Sequence, residues 1–344
     1  MGKLGKGGSL PYRRPFGELI FFRANNSKLK NTNNTMQKEI IKPIERDLIE
    51  KELNPQTFQR KSNNGNNEIY VINHHNSPNT MMEIARLREV SFRMSGGGTG
   101  NSFDIDDYDT DPNGYQQLLV WDPAEKEIVG GYRFILGRNA GFYPDGTPKL
   151  ATSGLLNYSS KFINEILPFT IELGRSFVQP AYQPSKDSRK GLFSLDNLWD
   201  GLGSLIIDYP ESKYFFGKVT MYKHFNPVAR DLILYFMNTF FPDKDNLITP
   251  KAPLGYKTDV TEFESLFTGA TLEENHKILL NTVRKYGENV PPLFNSYLSL
   301  SPTMKTCGTA WNEEFGGVEE TAILVTIADI YDPKIDRHVS TYKK

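Results

Sequence analysis

The strongest constraint on this chain is the order in which two periodicities alternate. Tyr115 to Trp121 and Glu127 to Leu136 are apolar-rich runs on either side of an Asp-Pro turn, a pattern that predicts a β-hairpin. Downstream, Phe169 to Val178 predicts a strand, Leu195 to Tyr209 a helix stopped by Pro210, and Lys213 to Met221 a further strand. Asn226-Pro227 supplies an N-cap and a first-turn proline for a helix through Phe240. Thr271 and Glu274 form a capping-box pattern for a helix closed by Gly287, and Thr321 to Ile330 reads as a late apolar strand. A hairpin followed by strand–helix–strand–helix units predicts an α/β fold with a mixed sheet. Upstream, Ile40, Ile41, Ile44, Leu48 and Ile49 fit one helical face, and an Asn-rich break spans 63–67. Glu68 to Asn73 predicts a strand, and Asn79 a cap for a helix from Thr80 to Met94 that buries Ile84, Leu87, Val90 and Met94.

The chain has 344 residues, enough for two domains or one large one and for a sizeable core without staples. Its single cysteine, Cys307, excludes an intramolecular disulfide framework and points to a reducing, cytoplasmic compartment. The longest apolar stretch, Leu232 to Phe241, contains Asn238 and Thr239 and is too short to span a bilayer. Net charge is −1, from 40 Lys+Arg against 41 Asp+Glu, which disfavours a nucleic-acid binder. The charge is uneven: residues 1–35 carry seven cations and one acid. This Gly-, Asn- and Lys-rich stretch has no sustained period and no secretory signature. It reads either as a disordered basic arm that touches anionic lipid or nucleic acid, or as a non-native extension ahead of Met36.

Several motif-like segments lack what their chemistry needs. Asp109-Thr-Asp111-Pro-Asn113-Gly114 matches the first half of a calcium loop, but Val120 stands where a bidentate carboxylate is required. Ser95-Gly-Gly-Gly-Thr-Gly100 resembles a phosphate cradle, yet it follows a helical pattern and has no Lys-Ser/Thr after it, so a mobile loop is expected. The five histidines are scattered, and no metal site is expected. Cys307 has no local signature of a nucleophile and is expected to be buried and inert.

Four segments carry chemistry together. They are Leu87-Arg88-Glu-Val90-Ser-Phe92-Arg93, then Asp104-Ile-Asp106-Asp107-Tyr108-Asp109, then Ile128-Val-Gly-Gly-Tyr132-Arg133-Phe134, and finally Ile171-Glu172-Leu-Gly-Arg175-Ser-Phe177-Val178. Strand alternation puts Glu172 and Gly174 on one face and Arg175 on the other. A bulge near Gly174 would bring Glu172 and Arg175 to one cleft. In type and order these segments resemble the GNAT superfamily of acyltransferases. They are closest to the branch of N-acyl amino-acid lipid synthases, often labelled hemolysins, and more distantly similar to acyl-homoserine-lactone synthases. The branch pattern of Arg and Phe on a first helix, spaced acids, a strand Arg, and Glu-x-x-Arg-x-Phe falls here on Arg88 and Phe92, on Asp104, Asp106 and Asp109, on Arg133, and on Glu172, Arg175 and Phe177. The likeness runs on through Leu195 to Gly203 and Tyr214 to Met221. It also takes in Pro291 to Leu298 and Phe315 to Glu320, covering roughly 68–330, and the wording is most like the Bacteroidetes glycine-lipid synthases.

The resemblance implies a GNAT-like, mostly antiparallel twisted sheet with splayed central strands, helices on both faces and a C-terminal α/β extension. It divides the chain into the arm 1–35, a helical segment and linker 36–67, an acyltransferase core 68–225, a C-terminal half 226–330 that completes the sheet, and a tail 331–344. It implies an acyl-phosphopantetheine donor, on acyl carrier protein or coenzyme A, lying as an added strand between 172–178 and 214–221. Phe177 and Val178 would line that arm, with Ser188, Arg189, Lys190 and Gly191 at its phosphate. The implied reaction moves a 3-hydroxy fatty acyl group to the amine of glycine, or alternatively of ornithine or another amino acid. Glu172 is the candidate base, Arg133 and Arg88 the candidate grips on the acceptor carboxylate, and Arg175 a third member of the catalytic set. Phe92, Phe134 and the three acids complete the acceptor site, with the acids ordering the arginines. The rival from another class is a membrane-active hemolysin. It would need an amphipathic or spanning segment, and none is evident in the sequence.

Overall fold

The computed structural model describes residues 37–183 and 191–344. Its first elements are α1 (Arg46–Glu52), β1 (Phe58–Lys61), β2 (Glu68–Ile72), α2 (Pro78–Met94), α3 (Asp107–Thr110), β3 (Gln116–Asp122), β4 (Glu127–Leu136) and β5 (Leu156–Tyr158). The middle of the chain gives β6 (Thr170–Val178), α4 (Ser194–Asp208), β7 (Tyr214–Met221), α5 (Pro227–Phe240) and β8 (Ile248–Pro250). The last elements are α6 (Leu272–Lys285), α7 (Pro292–Leu298), β9 (Lys305–Asn312), β10 (Val318–Thr326) and α8 (Asp332–His338). The arm at 1–35 lies outside the described residues.

Eight strands form one sheet in the order β1-β2-β3-β4-β6-β7-β10-β9, and β5 pairs with β8 in a small second sheet. All neighbours in the large sheet are antiparallel except β6 and β7. Period-2 alternation divides its side chains. Leu118, Val120, Phe134, Ile171 and Phe215 enter a core with Leu198 and Leu202 of α4 and Leu232 and Phe236 of α5. Leu119 and Trp121 face the opposite way, toward Ile84, Leu87 and Phe92 of α2. Helices therefore cover both faces of a twisted, mostly antiparallel sheet, as expected of a GNAT fold.

Several local expectations are corrected. Residues 37–45 are not helical: Pro43 removes a helical donor and biases Lys42 to extended backbone. Their backbone pairs instead with the 100–102 segment, Lys38 N donating to Gly100 O and Ile41 N to Ser102 O. Helix α2 begins at Pro78, with its first-turn N–H groups taken by the Glu52 carboxylate, which accepts from Asn79 N and Thr80 N at 3.0 and 2.7 Å. The segment 36–67 contributes β1 to the sheet edge, so it is more than a linker. The tail 331–344 carries α8, fastened to α4 by His338 Nδ1 against Asp200 Oδ1 at 2.8 Å. The glycine-rich loop 95–100 is held in place. Thr99 N and Gly100 N donate to the buried Glu89 carboxylate at 3.0 and 2.8 Å, so the apparent phosphate cradle is filled by a side chain of its own chain.

The central strands part as the resemblance implies. Strands β6 and β7 pair over Thr170–Leu173 and Tyr214–Gly217 only. Beyond Leu173 and Gly217, β6 stays with β4 and β7 stays with β10, which leaves a V-shaped slot between them. Among the described residues no helix is long and apolar enough to cross a membrane.

Candidate active site

The vertex of the V opens into a cavity of about 390 Å³. A bulge builds its wall. Gly131 pairs with Phe177 and Arg133 with Gly174, so β6 holds one residue more than β4 at this point. Arg175 takes up the excess with φ +49°, a left-handed conformation that non-glycine residues adopt only where their surroundings enforce it. The bulge turns Arg175 to the same side as Glu172, and both line the cavity with Arg133, Phe92, Asp104 and Asp106.

Glu172 is 1% exposed. Its Oε1 accepts from Thr152 Oγ1 at 2.6 Å and its Oε2 from the Tyr115 hydroxyl. Burial pushes its carboxyl up, opposed by those two hydroxyl donors and by the charges of Arg133 and Lys218. A carboxylate raised in this way is a better proton acceptor near neutral pH than an exposed one.

The arginines are ordered by the acids, as the sequence suggests. Arg133 Nη1 donates to both Asp106 oxygens at 2.8 and 2.7 Å and to Asp109 Oδ2 at 3.3 Å. Burial opposes its charge, but Asp109 and Asp106 outweigh burial and hold it firmly protonated. Its Nε is buried without a partner, and a Cβ placed on Gly174 would lie 3.6 Å from it. One edge of the guanidinium is thus spoken for, while the edge beside Gly174 keeps an unspent donor. Arg175 Nε sits 2.9 Å from Asp104 Oδ2, and its guanidinium stacks over Phe315 at 4.4 Å. Burial pushes the Asp104 carboxyl up against the pull of Arg175, Arg88 and Arg133.

Three residues expected at the acceptor site lie elsewhere. Arg88 is fully buried behind the cavity, bonded through Nη1 to Asp109 at 3.0 Å and through Nη2 to Gln117, so it buttresses Arg133 and cannot reach an acceptor. Asp109 is likewise one layer back. Phe134 points to the opposite face, against Tyr209, because strand alternation carries it away from Arg133. The Phe177 side chain packs in the α2 core, so only the backbone of Phe177 and Val178 can face the slot. Gly191 lies in the turn entering α4, and Ser188, Arg189 and Lys190 fall outside the described residues.

Sequence reasoning missed Tyr115, Thr152, Lys218 and Glu320, which also line the cavity. Strand alternation was the available signal for Lys218 and Glu320. Each is the one charged residue on its face of the strand, beside Phe216 and Thr220 for Lys218 and beside Val318 and Ala322 for Glu320. Nothing in the surrounding pattern marks Thr152.

Residues 87–189 match the model of the acetyltransferase (GNAT) domain. A glycine N(alpha)-acyltransferase of Bacteroides thetaiotaomicron is 52% identical over 304 residues, 88% of this chain and 90% of that protein. A second glycine N(alpha)-acyltransferase, from Phocaeicola vulgatus, is 51% identical over 306 residues, 89% of this chain and 94% of that protein. A solved coenzyme A-dependent acyl-homoserine lactone synthase, with S-adenosylmethionine and isopentyl-CoA, overlaps loosely. It is 13% identical, covers 78% of this chain and 88% of its own, and has a TM-score of 0.34.

Proposed function

Since this chain belongs to the glycine N(alpha)-acyltransferase family of GNAT N-acyltransferases, we propose that it acylates the amine of glycine from a 3-hydroxy fatty acyl thioester on acyl carrier protein. The product is a lyso N-acyl amino-acid lipid. The observation that carries this reading is the buried Glu172 carboxylate at the vertex of a slot whose two strand edges leave each other after Leu173 and Gly217.

A phosphopantetheine arm is a chain of amides, and a strand edge with free N–H and C=O groups binds it through main-chain hydrogen bonds. The arm enters between Gly174–Val178 and Lys218–Met221 and stops where the strands close. Its thioester therefore lies beside Glu172. The attacking amine must be neutral, and Glu172 accepts its proton, directly or through one water. Arg133 receives the acceptor carboxylate on the edge next to Gly174, and a backbone N–H at the bulge faces the developing oxyanion. Arg175, locked on Asp104 and Phe315, holds the bulge in shape. The basic sequence Ser188-Arg189-Lys190-Gly191, which precedes α4 in the chain, is the proposed binder of the donor phosphate. Both substrates are cytoplasmic, and the lipid product leaves toward the inner membrane, with which the enzyme makes at most peripheral contact.

Mass spectrometry of purified enzyme with 3-hydroxypalmitoyl donors, on acyl carrier protein and on coenzyme A, tests the reading with glycine and ornithine offered in equal amounts. N-acylglycine formed faster from the carrier-protein donor supports it. N-acylornithine as the main product, or exclusive use of coenzyme A, replaces the acceptor or the donor. No N-acyl product from any pairing removes the reading.

A further inference from the structure

Lys218 has no part in the steps above, yet it is built into the vertex. It is the first residue of β7 beyond Gly217, the last one paired with β6. Glu172 is in register with Phe216, so Glu172 and Lys218 share a face and flank the closing point from opposite strands. The Lys218 ammonium reaches across to Glu320 of β10, with Nζ 2.5 Å from Oε2. Asn312 Nδ2 holds the same oxygen at 2.9 Å. Burial would raise Glu320, but Lys218 and Asn312 bring its carboxyl down. Glu320 is buried and Lys218 partly so, and an ion pair drawn out of water in this way repays its desolvation poorly. The other two cations lining the cavity, Arg133 and Arg175, are both held by Asp104, Asp106 and Asp109 on the β6 side. Among the described lining residues Lys218 is the sole cation on the β7 side.

We propose that the Lys218 ammonium, anchored by Glu320 and Asn312, stabilises the negative charge that gathers on the donor sulfur as the acyl group leaves. The proposal rests on the slot reading: an arm that enters the V from its open end places its terminal sulfur at the vertex. The amine nitrogen bonds to the acyl carbon, the carbon–sulfur bond breaks, and sulfur keeps the electron pair. The amine proton passes to Glu172 and from there to solvent, and the thiolate takes a proton from solvent on release. Glu172 and Lys218 divide the work, one receiving the proton and the other facing the leaving group.

The test follows the thiol of bound coenzyme A, which carries the same arm, by its thiolate ultraviolet absorbance across pH. The buried Cys307, whose thiol burial pushes well up, stays silent over that range. Wild-type enzyme is expected to lower the bound thiol pKa by about 1–3 units relative to free coenzyme A, as a close opposite charge does. Lys218→Met is expected to abolish that shift and cut kcat by about 10²-fold, with KM for glycine and the affinity for desulfo-coenzyme A unchanged. Lys218→Arg is expected to keep most of both. The double variant Lys218→Met/Glu320→Gln leaves no buried charge unpaired and should behave as Lys218→Met, which separates chemistry from misfolding. A thiol shift that survives in both Met variants overturns the proposal, as does a raised KM for glycine with unchanged kcat. Failure of wild-type enzyme to bind coenzyme A, its desulfo analogue and phosphopantetheinylated acyl carrier protein alike removes the slot reading itself. Binding without a Lys218-dependent shift removes only the role of Lys218.

Discussion

Replacing Asp109 by Asn removes one charge and almost no volume from the network behind the active site. The Asp109 carboxylate accepts from Arg88 Nη1 at 3.0 Å, Gln117 Nε2 at 2.9 Å and Arg133 Nη1 at 3.3 Å. Against burial, Arg88 and Arg133 pull its carboxyl down from 3.8 to about 2. At 1.36 kcal/mol per unit that difference is worth roughly 2 kcal/mol of folding free energy. The variant loses more than this, because Arg88, with no exposed surface, loses its ion-pair partner. Removing one partner of a buried pair typically costs about 3–5 kcal/mol. Unfolding entropy for a protein of this length converts that to a Tm lowered by about 4–7 °C. A depressed carboxyl contributes stability that is complete above its unfolded pKa and is lost as pH falls through its folded one. The gap between wild type and Asp109→Asn in urea midpoint should therefore stay constant above about pH 5 and narrow from about pH 4 toward pH 2. A gap below about 1 kcal/mol at pH 7, or one that widens on acidification, would refute the assignment of Asp109 as the shared counter-ion.

Two further substitutions probe separate parts of the molecule. Thr152→Val removes a hydroxyl donor to the Glu172 carboxylate. The Glu172 pKa then rises further, and the acidic limb of the kcat/KM profile should move to higher pH, while an unmoved limb would detach that limb from Glu172. In Gly203→Ala the new Cβ would meet the His338 carbonyl oxygen at 2.2 Å, so α8 must shift from α4. Urea unfolding should show a loss of about 1–3 kcal/mol, and an unchanged midpoint would mean that α8 is not docked there.

Much of the fold was legible because strands buried on both faces or one leave plain apolar runs, and β3, β4, β6 and β7 all do. The bulge at Arg175 was also within reach, since Glu172 and Arg175 share a cleft only if one residue is inserted between them. Other features depend on distant partners. Glu52 caps α2 and Glu89 fills the 95–100 loop, and neither contact has a local signature. Pro43 outweighed five well-spaced apolar residues because a missing N–H costs more than amphipathic spacing returns. Arg88 looked like an acceptor ligand because sequence gives residue type and helical face but not depth. Only packing shows that Asp109 and Gln117 enclose it.

The base at the vertex is tested most directly by Glu172→Gln, which keeps the size of the side chain and removes its capacity to take a proton. Single-turnover acyl transfer to glycine, followed across pH on protein with a wild-type urea midpoint, should slow by about 10²–10⁴-fold and lose its acidic limb. Wild-type rates with the limb intact would mean that the amine gives up its proton elsewhere.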